Sequence, residues 1–337
     1  MVTRNQINTK DIIVGIVGLG LMGSSIAVAL LIAGHPVVGI APIDDEKERA
    51  SLHIKELLLN AAKTGLLKRP LRDYLASLTI SDDYHELDDC QLVLECVLED
   101  IEVKKEIYRK ITRIVERKTI IATNTSAIPI SVLQQYVAHP ENFIGIHWSE
   151  PAFVTRFMEI TKGNETSENV ATWIFDLAHC WGKEPTLLKK DIRGFITNRL
   201  MYSAYRETFS LVEKRQVSIE DIDKAFRYGV GSWITLMGIF GRMDFEGLKK
   251  YETVFNNIFP ELTNSDSVPD IMQRMVDIQA KGIHNCHGLY DYTQAEAEQW
   301  DKAFASFNKE IYHLSLLYPS GKTPIELTKK SRELTKE

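Results

Sequence analysis

The sequence lacks the features that tie a protein to an oxidising compartment, a membrane or a polyanion. It has four cysteines in 337 residues, none of them in a CxxC pair, which disfavours a disulfide framework. Lysine and arginine total 40 against 46 aspartates and glutamates, for a net charge of -6, so nothing concentrates the chain on nucleic acid or anionic lipid. His284, Cys286 and His287 lie close together but offer no fourth ligand for a metal. We therefore predict a cytoplasmic protein without a metal, a nucleic-acid partner or a membrane partner.

One long apolar stretch, residues 12–40, imitates a signal or membrane segment. It is interrupted by several glycines and by His35-Pro36, and no small-residue cleavage site follows a distinct apolar core. The stretch divides instead into a strand at Ile12–Val17, a helix at Leu21–Ala33 and a strand at Pro36–Ile40. This division accounts for the glycines, so a membrane span is not needed to explain the stretch.

The alternation of strand and helix continues through the first half of the chain. The further predicted elements are strands Gln91–Val97, Thr119–Thr123 and Asn142–Trp148, with helices Ile101–Val115, Ser131–Val137, Gly194–Glu213, Pro269–Lys281 and Thr293–Leu317. Strands that read as continuous apolar runs are typical of a parallel sheet with helices on both faces. We predict an α/β fold, with an N-terminal Rossmann domain built on a doubly wound sheet over residues 1–190. An all-helical domain follows over residues 191–337.

A glycine-rich turn, GLGLMG, follows the first predicted strand and opens the first predicted helix. Gly18 allows the tight turn, Gly20 lets a pyrophosphate approach the backbone, and Gly23 lets the helix pack on the strand. The helix N-terminus at Leu21 and Met22 then presents free N–H groups to the phosphates. Between a strand and a helix, this turn predicts a dinucleotide cofactor.

An acid is expected at the end of the second strand, about 20 residues further on, to hold the adenine-ribose hydroxyls. Ala41 occupies that position, and the first acids after it are Asp44 and Asp45. Either one of these reaches back or the ribose is held differently. No arginine stands directly at the strand end to favour a 2′-phosphate, although Arg49 is near. We therefore predict NAD in preference to NADP.

Four further segments complete a pattern that resembles one family. They are Leu94–Lys104 (LECVLEDIEVK), Asn124-Thr125-Ser126 after a strand, His147 with Glu159 twelve residues later, and Gly194–Arg199 (GFITNR). In order and spacing, these segments and the glycine turn resemble the L-3-hydroxyacyl-CoA dehydrogenase family, whose relatives include carnitine dehydrogenase and the gulonate dehydrogenase known as lambda-crystallin. The resemblance covers roughly residues 12–250. It implies an NAD-dependent oxidoreductase that converts an L-3-hydroxy acyl compound to its 3-oxo form.

The resemblance implies a role for each matching residue. His147 is the general base, with Glu159 as its carboxylate partner. Ser126 and Asn198 hold the substrate oxygen. The positions near the nicotinamide end of the cofactor are Glu99, Lys104 and Asn124. The chemistry agrees, because an imidazole titrates near neutral pH and a carboxylate behind it stabilises the imidazolium that forms.

The chain departs from the family at Glu150, where an asparagine is usual before the proline. This carboxylate would favour the protonated imidazole of His147, contact a cationic or hydroxyl-rich substrate, or turn to solvent. Where the acyl-CoA enzymes place a serine and a lysine for coenzyme A, this chain has Leu57 and Thr64. Arg156 suits bidentate binding of a carboxylate. We therefore favour a free 3-hydroxy acid over a CoA thioester, with Glu150 and Arg156 among the substrate-binding residues.

Two alternative functions remain open. The 6-phosphogluconate-like β-hydroxyacid dehydrogenases also begin with GLGxMG, but they use a lysine on the first helix of their second domain. This chain has Asn198-Arg199 there and no lysine before Lys214. The other alternative is a non-catalytic cofactor-binding protein, which Ala41 and Glu150 would support. For either enzyme the partner is a small-molecule substrate, and the apolar helices after residue 194 are compatible with the homodimer that the resemblance implies.

Overall fold

A computed structural model describes residues 7–43 and 45–318 of the chain, except the side chain of Asp301. The chain divides into two units, Met1–Asn198 and Arg199–Glu337. The division falls slightly after the boundary predicted at residue 190. The first unit is a sheet covered by helices and the second is helical, so the predicted fold class is confirmed.

Eight strands form one sheet in the first unit. They are β1 (Val14–Val17), β2 (Val37–Ile40), β3 (Leu78–Ser81), β4 (Leu92–Glu95), β5 (Ile120–Thr123), β6 (Phe143–His147), β7 (Phe157–Lys162) and β8 (Glu184–Leu188). Their order is β3-β2-β1-β4-β5-β6-β7-β8, and all neighbours are parallel except β6 and β7. Because β2 and β4 flank β1 on opposite sides, the strand order reverses at β1. The loops that follow these three strands meet at the carboxyl edge, where ligands bind in such sheets.

Helices cover both faces of this sheet. They are α1 (Leu21–Ala33), α2 (Glu46–Lys63), α3 (Leu71–Leu75), α4 (Ile101–Ile114), α5 (Ile130–Leu133) and α6 (Glu168–Cys180). Successive side chains of a strand point to opposite faces. Leu92 and Leu94 accordingly pack in one hydrophobic cluster with Ile26 of α1, while Val93 packs in a second cluster with Ile107 of α4. Strands buried on both faces in this way read as continuous apolar runs.

Strands β3, β7 and β8 were not predicted from the sequence, and the character of their side chains explains why. β3 and β8 are the two edge strands and are only partly buried, while β7 includes Glu159 and Lys162. None of the three is a continuous apolar run. The helix predicted at Ser131–Val137 is shorter than expected, because α5 ends at Leu133 and a 3-10 turn follows over Gln134–Tyr136.

The helices that follow begin at the end of the first unit and make up the second. They are α7 (Thr197–Glu213), α8 (Ile219–Lys224), α9 (Gly231–Glu246), α10 (Leu248–Ile258), α11 (Asp270–Asp277) and α12 (Gln294–Ser315). A π-helical stretch, Ala225–Val230, joins α8 to α9. The side chains of Ser218 and Thr293 cap α8 and α12 by accepting backbone N–H groups, which satisfies donors that a helix start leaves free.

Within the described ranges, no helix is both long enough and apolar enough to cross a membrane. The same residues include no group of three or more histidine, cysteine or acidic side chains that could hold a metal ion. His287, which the sequence placed near Cys286, forms backbone bridges with Gly282 and Asp291.

A buried histidine joins the start of β1 to the end of α6. His35 has no exposed surface. Its Nδ1 lies 2.9 Å from the carbonyl oxygen of Ile12, and its Nε2 lies 2.9 Å from the indole Nε1 of Trp181. Because an indole N–H can only donate, Nε2 must accept and Nδ1 must carry the proton. The imidazole is therefore neutral, and burial lowers its pKa although the hydrogen bond to Ile12 opposes that shift.

We expect His35 to make the fold sensitive to acid. The unfolded chain takes up this proton near pH 6.5 while the folded chain resists it, so the stabilisation is complete above that pH and is lost as the pH falls toward the lowered pKa. Urea unfolding should show a loss on the order of 1 kcal/mol between about pH 7.5 and about pH 5.5. A His35→Gln variant, although less stable throughout, should lose less over that interval. An equal loss in both proteins would contradict this assignment.

Candidate active site

The glycine turn lies at the carboxyl edge of β1, and its geometry requires glycine at two positions. Gly18 has a φ of 92°, and a β-carbon there would lie 2.9 Å from the carbonyl oxygen of Cys96. A β-carbon on Gly23 would lie 1.9 Å from the carbonyl oxygen of Gly18. No described atom lies within 4 Å of a β-carbon built on Gly20. The backbone at Gly20 is thus open to a ligand, as the dinucleotide interpretation requires.

The first turn of α1 is suited to an anion. Its N-cap is Gly20, no described side chain caps it, and the turn contains no acidic residue. Leu21 is 63% exposed at the opening. Free N–H groups and the positive end of the helix dipole stabilise negative charge here. The turn therefore fits the pyrophosphate of NAD, which Gly20, Leu21 and Met22 would hold through their backbone.

The end of β2 differs from the usual pattern. Ala41 is buried and has no side-chain acceptor for a ribose. Asp45 is exposed, and Asp44 lies outside the described residues. Glu46, the first residue of α2, reaches back to the glycine turn, where its Oε1 accepts the N–H of Leu19 at 2.9 Å. This contact could not be predicted, because residues 27 positions apart share no periodic pattern.

A buried carboxylate at the end of β4 organises the next loop. Glu95 and Lys104 form an ion pair at 2.7 Å, with side chains 0% and 1% exposed. The Glu95 carboxylate also accepts hydrogen bonds from Thr123 Oγ1 at 2.7 Å, Tyr108 Oη at 2.8 Å and the N–H of Val97 at 2.8 Å. Four donors thus satisfy the charge, as a buried ion requires. Lys104, predicted near the nicotinamide, lies inside this network. Glu95 was missed as a functional residue, although an acid in an apolar strand was the available signal.

Glu99 holds the loop that follows β5. Its Oε1 accepts the hydroxyl of Thr125 and the N–H groups of Ser126 and Ala127, the latter two at 3.0 and 3.1 Å. Lys104 Nζ lies 3.4 Å from its Oε2. Burial raises the pKa of Glu99, but these hydrogen bonds and the lysine charge outweigh burial and hold the pKa below its ordinary value. Glu99 is therefore charged at neutral pH and fixes the backbone at Ser126.

His147 and Glu159 face each other across the antiparallel pair β6 and β7. The His147 Nδ1 lies 2.8 Å from Glu159 Oε2, with side chains 10% and 2% exposed. Burial raises the pKa of Glu159, but hydrogen bonds from His147 and from the backbone of Thr197 and Ile196 outweigh it and lower the pKa. A charged acceptor requires Nδ1 to carry the proton, so Nε2 is the nitrogen of the ring that can accept one.

The second oxygen of Glu159 fixes the start of α7. Its Oε1 accepts the N–H groups of Ile196 at 2.6 Å and Thr197 at 3.0 Å. The next residue, Asn198, donates its side-chain amide to the carbonyl oxygen of Ser126 at 2.8 Å. Contacts within the first unit thus bring together all four residues predicted to be catalytic, which are His147, Glu159, Ser126 and Asn198.

Asn124 and Glu150 lie near the strand end that carries His147. The Asn124 Oδ1 accepts the N–H of Trp148 at 2.9 Å, so this side chain positions the backbone after His147. Burial raises the pKa of Glu150, and a hydrogen bond with Ser25 of α1 opposes the shift. Its Oε2 is buried and has no partner among the described residues. The structure thus pairs Glu150 with the dinucleotide-binding helix.

Arg156, predicted to bind a substrate carboxylate, has an acid of this chain beside it. Its Nη2 lies 2.5 Å from Glu184 Oε1, so a substrate would have to compete with that carboxylate. The neighbouring Lys183 is buried and donates to the carbonyl oxygens of Ala152 and Thr155. Burial, and secondly the charge of Arg156, lower the pKa of Lys183 to about 7. Lys183 fixes the loop between His147 and Glu159 and was missed in the sequence.

The fold and the glycine turn define the class as a dinucleotide-binding protein, and the pairing of His147 with Glu159 suits an oxidoreductase. Residues 13–192 match the 3-hydroxyacyl-CoA dehydrogenase, NAD binding domain, and residues 194–292 match the 3-hydroxyacyl-CoA dehydrogenase, C-terminal domain. The chain belongs to the 3-hydroxyacyl-CoA dehydrogenase family. The resemblance and the NAD cofactor expected from the sequence are thereby confirmed.

Individual relatives differ in the substrate for which they are named. The 5-formyl-3-hydroxy-2-methylpyridine 4-carboxylate 5-dehydrogenase of Mesorhizobium japonicum is 32% identical over 295 residues, which cover 86% of this chain and 94% of that protein. A 3-hydroxybutyryl-CoA dehydrogenase of Mycobacterium tuberculosis is 30% identical over 282 residues, covering 83% and 98%. A crystal structure of a 5-formyl-3-hydroxy-2-methylpyridine 4-carboxylic acid 5-dehydrogenase, described as an NAD+-dependent dismutase, superimposes with a TM-score of 0.85 and 28% identity. The match covers 91% of this chain and 99% of that chain. The crystal structure of (S)-3-hydroxybutyryl-CoA dehydrogenase from Ralstonia eutropha superimposes with a TM-score of 0.69 and 28% identity, covering 83% of this chain and 99% of that chain.

We expect Glu95→Gln to destabilise the first unit by about 3 kcal/mol, because the buried Lys104 ammonium loses its counter-charge at 2.7 Å and keeps only Glu99 at 3.4 Å. The matched control is Glu102→Gln, which removes an exposed acid from a surface pair with Lys105 and should change stability by less than about 0.5 kcal/mol. Urea unfolding of the two variants measures both effects. Equal stability of the two variants would show that the ion pair between Glu95 and Lys104 does not stabilise the fold.

Proposed function

We propose that this protein is an NAD-dependent dehydrogenase that oxidises the hydroxyl group of a small free 3-hydroxy acid. The observation that carries the proposal is the pairing of the His147 imidazole with the buried, charged Glu159. A base of this kind beside a dinucleotide-binding turn suits hydroxyl oxidation. Membership of the 3-hydroxyacyl-CoA dehydrogenase family favours it over the 6-phosphogluconate-like alternative. The cytoplasmic location stays a prediction from the sequence.

In this proposal His147 takes the hydroxyl proton at Nε2 while its Nδ1–H remains bonded to Glu159. The positive charge that develops on the ring lies 2.8 Å from the Glu159 carboxylate, which stabilises the imidazolium. The hydride that leaves the same carbon needs an acceptor, and bound NAD supplies that chemistry. The proton and the hydride together account for the two hydrogens that an alcohol loses on becoming a carbonyl.

Ser126 and Asn198 hold the substrate oxygen in this proposal. Ser126 is exposed at the sheet edge, and Glu99 fixes its backbone. Asn198 gives one of its amide hydrogens to the Ser126 carbonyl, which leaves the other for a substrate. Donors that are already in place cost little reorganisation as charge shifts onto oxygen, and this is how such groups lower a barrier.

Helix α2 supports a free acid as the substrate. Leu57 packs against the hydrophobic core, and Thr64 donates its hydroxyl to the carbonyl oxygen of Ala61. Neither position supplies the cation that a CoA phosphate would need. The relative from Mesorhizobium japonicum, 32% identical, is named for a small carboxylate. The relatives named for 3-hydroxybutyryl-CoA make the thioester the second candidate.

A homodimer formed through the helical unit is the assembly we propose. Among the described residues of this unit, Ala297 and Ser315 alone are buried. Its apolar side chains include Phe240 at 82% exposure and Tyr228 at 78%, and an apolar groove of about 390 Å³ lies among α7, α8 and α11. Soluble monomers rarely expose so much apolar surface. A second copy of the chain would cover it.

Replacing the base tests the chemistry. We expect His147→Asn to lower turnover about 10²–10⁴-fold, the usual contribution of a general base, while NAD binding measured by calorimetry stays unchanged. The control is His139→Asn, because His139 is 33% exposed beside Glu141 and lies away from the site. Full turnover by His147→Asn would reject the base assignment and favour the non-catalytic alternative.

A substrate series separates the two candidate substrates. NAD reduction would be followed with free 3-hydroxybutyrate, carnitine and gulonate beside L-3-hydroxybutyryl-CoA. We expect kcat/KM for the best free acid to exceed that for the thioester by at least about tenfold, because the coenzyme would find no cation at Leu57 or Thr64. In the variant Leu57→Ser/Thr64→Lys, the thioester should improve while the free acids are unaffected. Efficient thioester turnover by the unmodified protein would contradict the proposal.

A further inference from the structure

The end of β2 leaves the adenosine half of NAD without its usual acceptor. Rossmann domains hold the adenine ribose with an acid at this strand end, but Ala41 stands there and is 2% exposed. Asp45, the first described acid after the strand, is exposed and has a left-handed φ of 61°. The buried strand end itself therefore supplies no acceptor for the ribose.

Glu46 is a carboxylate already fixed against the glycine turn. Its Oε1 accepts the N–H of Leu19 at 2.9 Å, and Leu19 lies between Gly18 and Gly20. The side chain is 9% exposed, so a buried charge lies one residue from the backbone that receives the pyrophosphate. An adenine ribose is joined directly to that pyrophosphate, and its hydroxyls therefore fall close to the same turn.

The second oxygen of this carboxylate lacks a donor. Glu46 Oε2 is buried and has no hydrogen-bond partner among the described residues. A buried carboxylate oxygen without a donor is costly, and a ribose hydroxyl is such a donor. The hydroxyl of Tyr84 is also buried without a described partner. Burial raises the pKa of Tyr84 to about 12, and the charge of the nearby Glu46 is the second cause.

The surroundings also suit an adenosine. Ile43 is 61% exposed and Leu98 is 70% exposed, and these residues follow β2 and β4, the strands that flank β1 on its two sides. Exposed apolar side chains at this edge are suitable walls for an adenine ring, since ligand sites combine apolar surface with a few placed polar groups.

We propose that Glu46 replaces the missing strand-end acid, accepting the 2′-hydroxyl of the adenine ribose at Oε2 while Oε1 holds the Leu19 N–H. Oε2 is buried in this structure, so the proposal requires its surroundings to open on NAD binding until the ribose reaches it. The same charge repels the 2′-phosphate of NADP, so Glu46 also determines the preference for NAD. The proposal rests on NAD being the cofactor and is independent of the substrate.

The test measures affinity by calorimetry for NAD, 2′-deoxy-NAD (deoxy in the adenine ribose) and NADP, with no hydroxy acid present. Glu46→Gln keeps the size of the side chain and an oxygen for the Leu19 N–H, but it removes the charge. We expect this variant to bind NAD about tenfold more weakly, as for a lost hydrogen bond to a charged group. Its affinity for 2′-deoxy-NAD should match that of the unmodified protein, and its affinity for NADP should rise.

The matched control is Glu48→Gln, which removes an exposed acid from the same helix and should leave all three affinities unchanged. Asp44→Asn and Asp45→Asn test the two acids nearest the strand end. An equal loss of NAD and 2′-deoxy-NAD in Glu46→Gln would overturn the proposal, because it would mean that Glu46 only supports the turn. The proposal would also be overturned if either aspartate variant bound NAD and 2′-deoxy-NAD equally well while Glu46→Gln kept the affinities of the unmodified protein.

One arm of the test needs no variant and holds even if Glu46→Gln does not fold. The unmodified protein should bind 2′-deoxy-NAD about tenfold more weakly than NAD. Equal affinities would overturn the proposal. Because no substrate takes part, an error in the proposed hydroxy acid would leave every one of these results unchanged, and the two failures are therefore distinguishable.

Discussion

The Glu159 carboxylate is the interaction on which the rest of the candidate site depends. One oxygen lies 2.8 Å from the Nδ1 of His147, and the other accepts the N–H groups of Ile196 and Thr197. The side chain is 2% exposed, so its charge is compensated by these hydrogen bonds rather than by water. The orientation of the imidazole and the position of Asn198, the next residue, are consequently coupled through one buried group.

Acids play the same structural part elsewhere along this edge of the sheet. Glu46, Glu95 and Glu99, like Glu159, each accept a backbone N–H from a loop that follows a strand or precedes a helix. Such loops have backbone donors without sheet partners, and an ionised carboxylate satisfies them with strong hydrogen bonds. The first turn of α1 has no acid of its own. The negative charges thus fix the loops while the helix end remains suited to a pyrophosphate.

The parts of the fold that the sequence predicted are those in which a local pattern carries the structural cause. β1, β4 and α1 are apolar because both faces of the sheet are covered, and the glycines at 18 and 23 are required by backbone contacts that no side chain would allow. Edge strands β3 and β8 have no such pattern, because solvent covers part of their surface. Their existence follows from pairing with β2 and β7, which a single sequence does not display.

The candidate site divides in the same way. His147, Glu159, Ser126 and Asn198 were found through motifs in a fixed order, and the structure brings them together. The partners of Lys104 and Arg156 were not predictable, because each depends on which acid the fold places beside a flexible side chain. Lys104 forms an ion pair with Glu95, and Arg156 forms one with Glu184. Motifs identify which charged residues are present, whereas the ion pairs within the fold decide which of those side chains are available to bind a ligand.

The charge balance of the site bears on how a free acid would be accommodated. An anionic substrate would approach Glu99 and Glu159, both held ionised by their hydrogen bonds. Glu150 differs, because burial raises its pKa, and an acid of this kind gives up its charge more readily than an exposed one. In the neutral form a carboxyl donates a hydrogen bond instead of repelling an anion. Glu150, which stands where the family has an asparagine, would therefore repel a carboxylate substrate less than an exposed acid would.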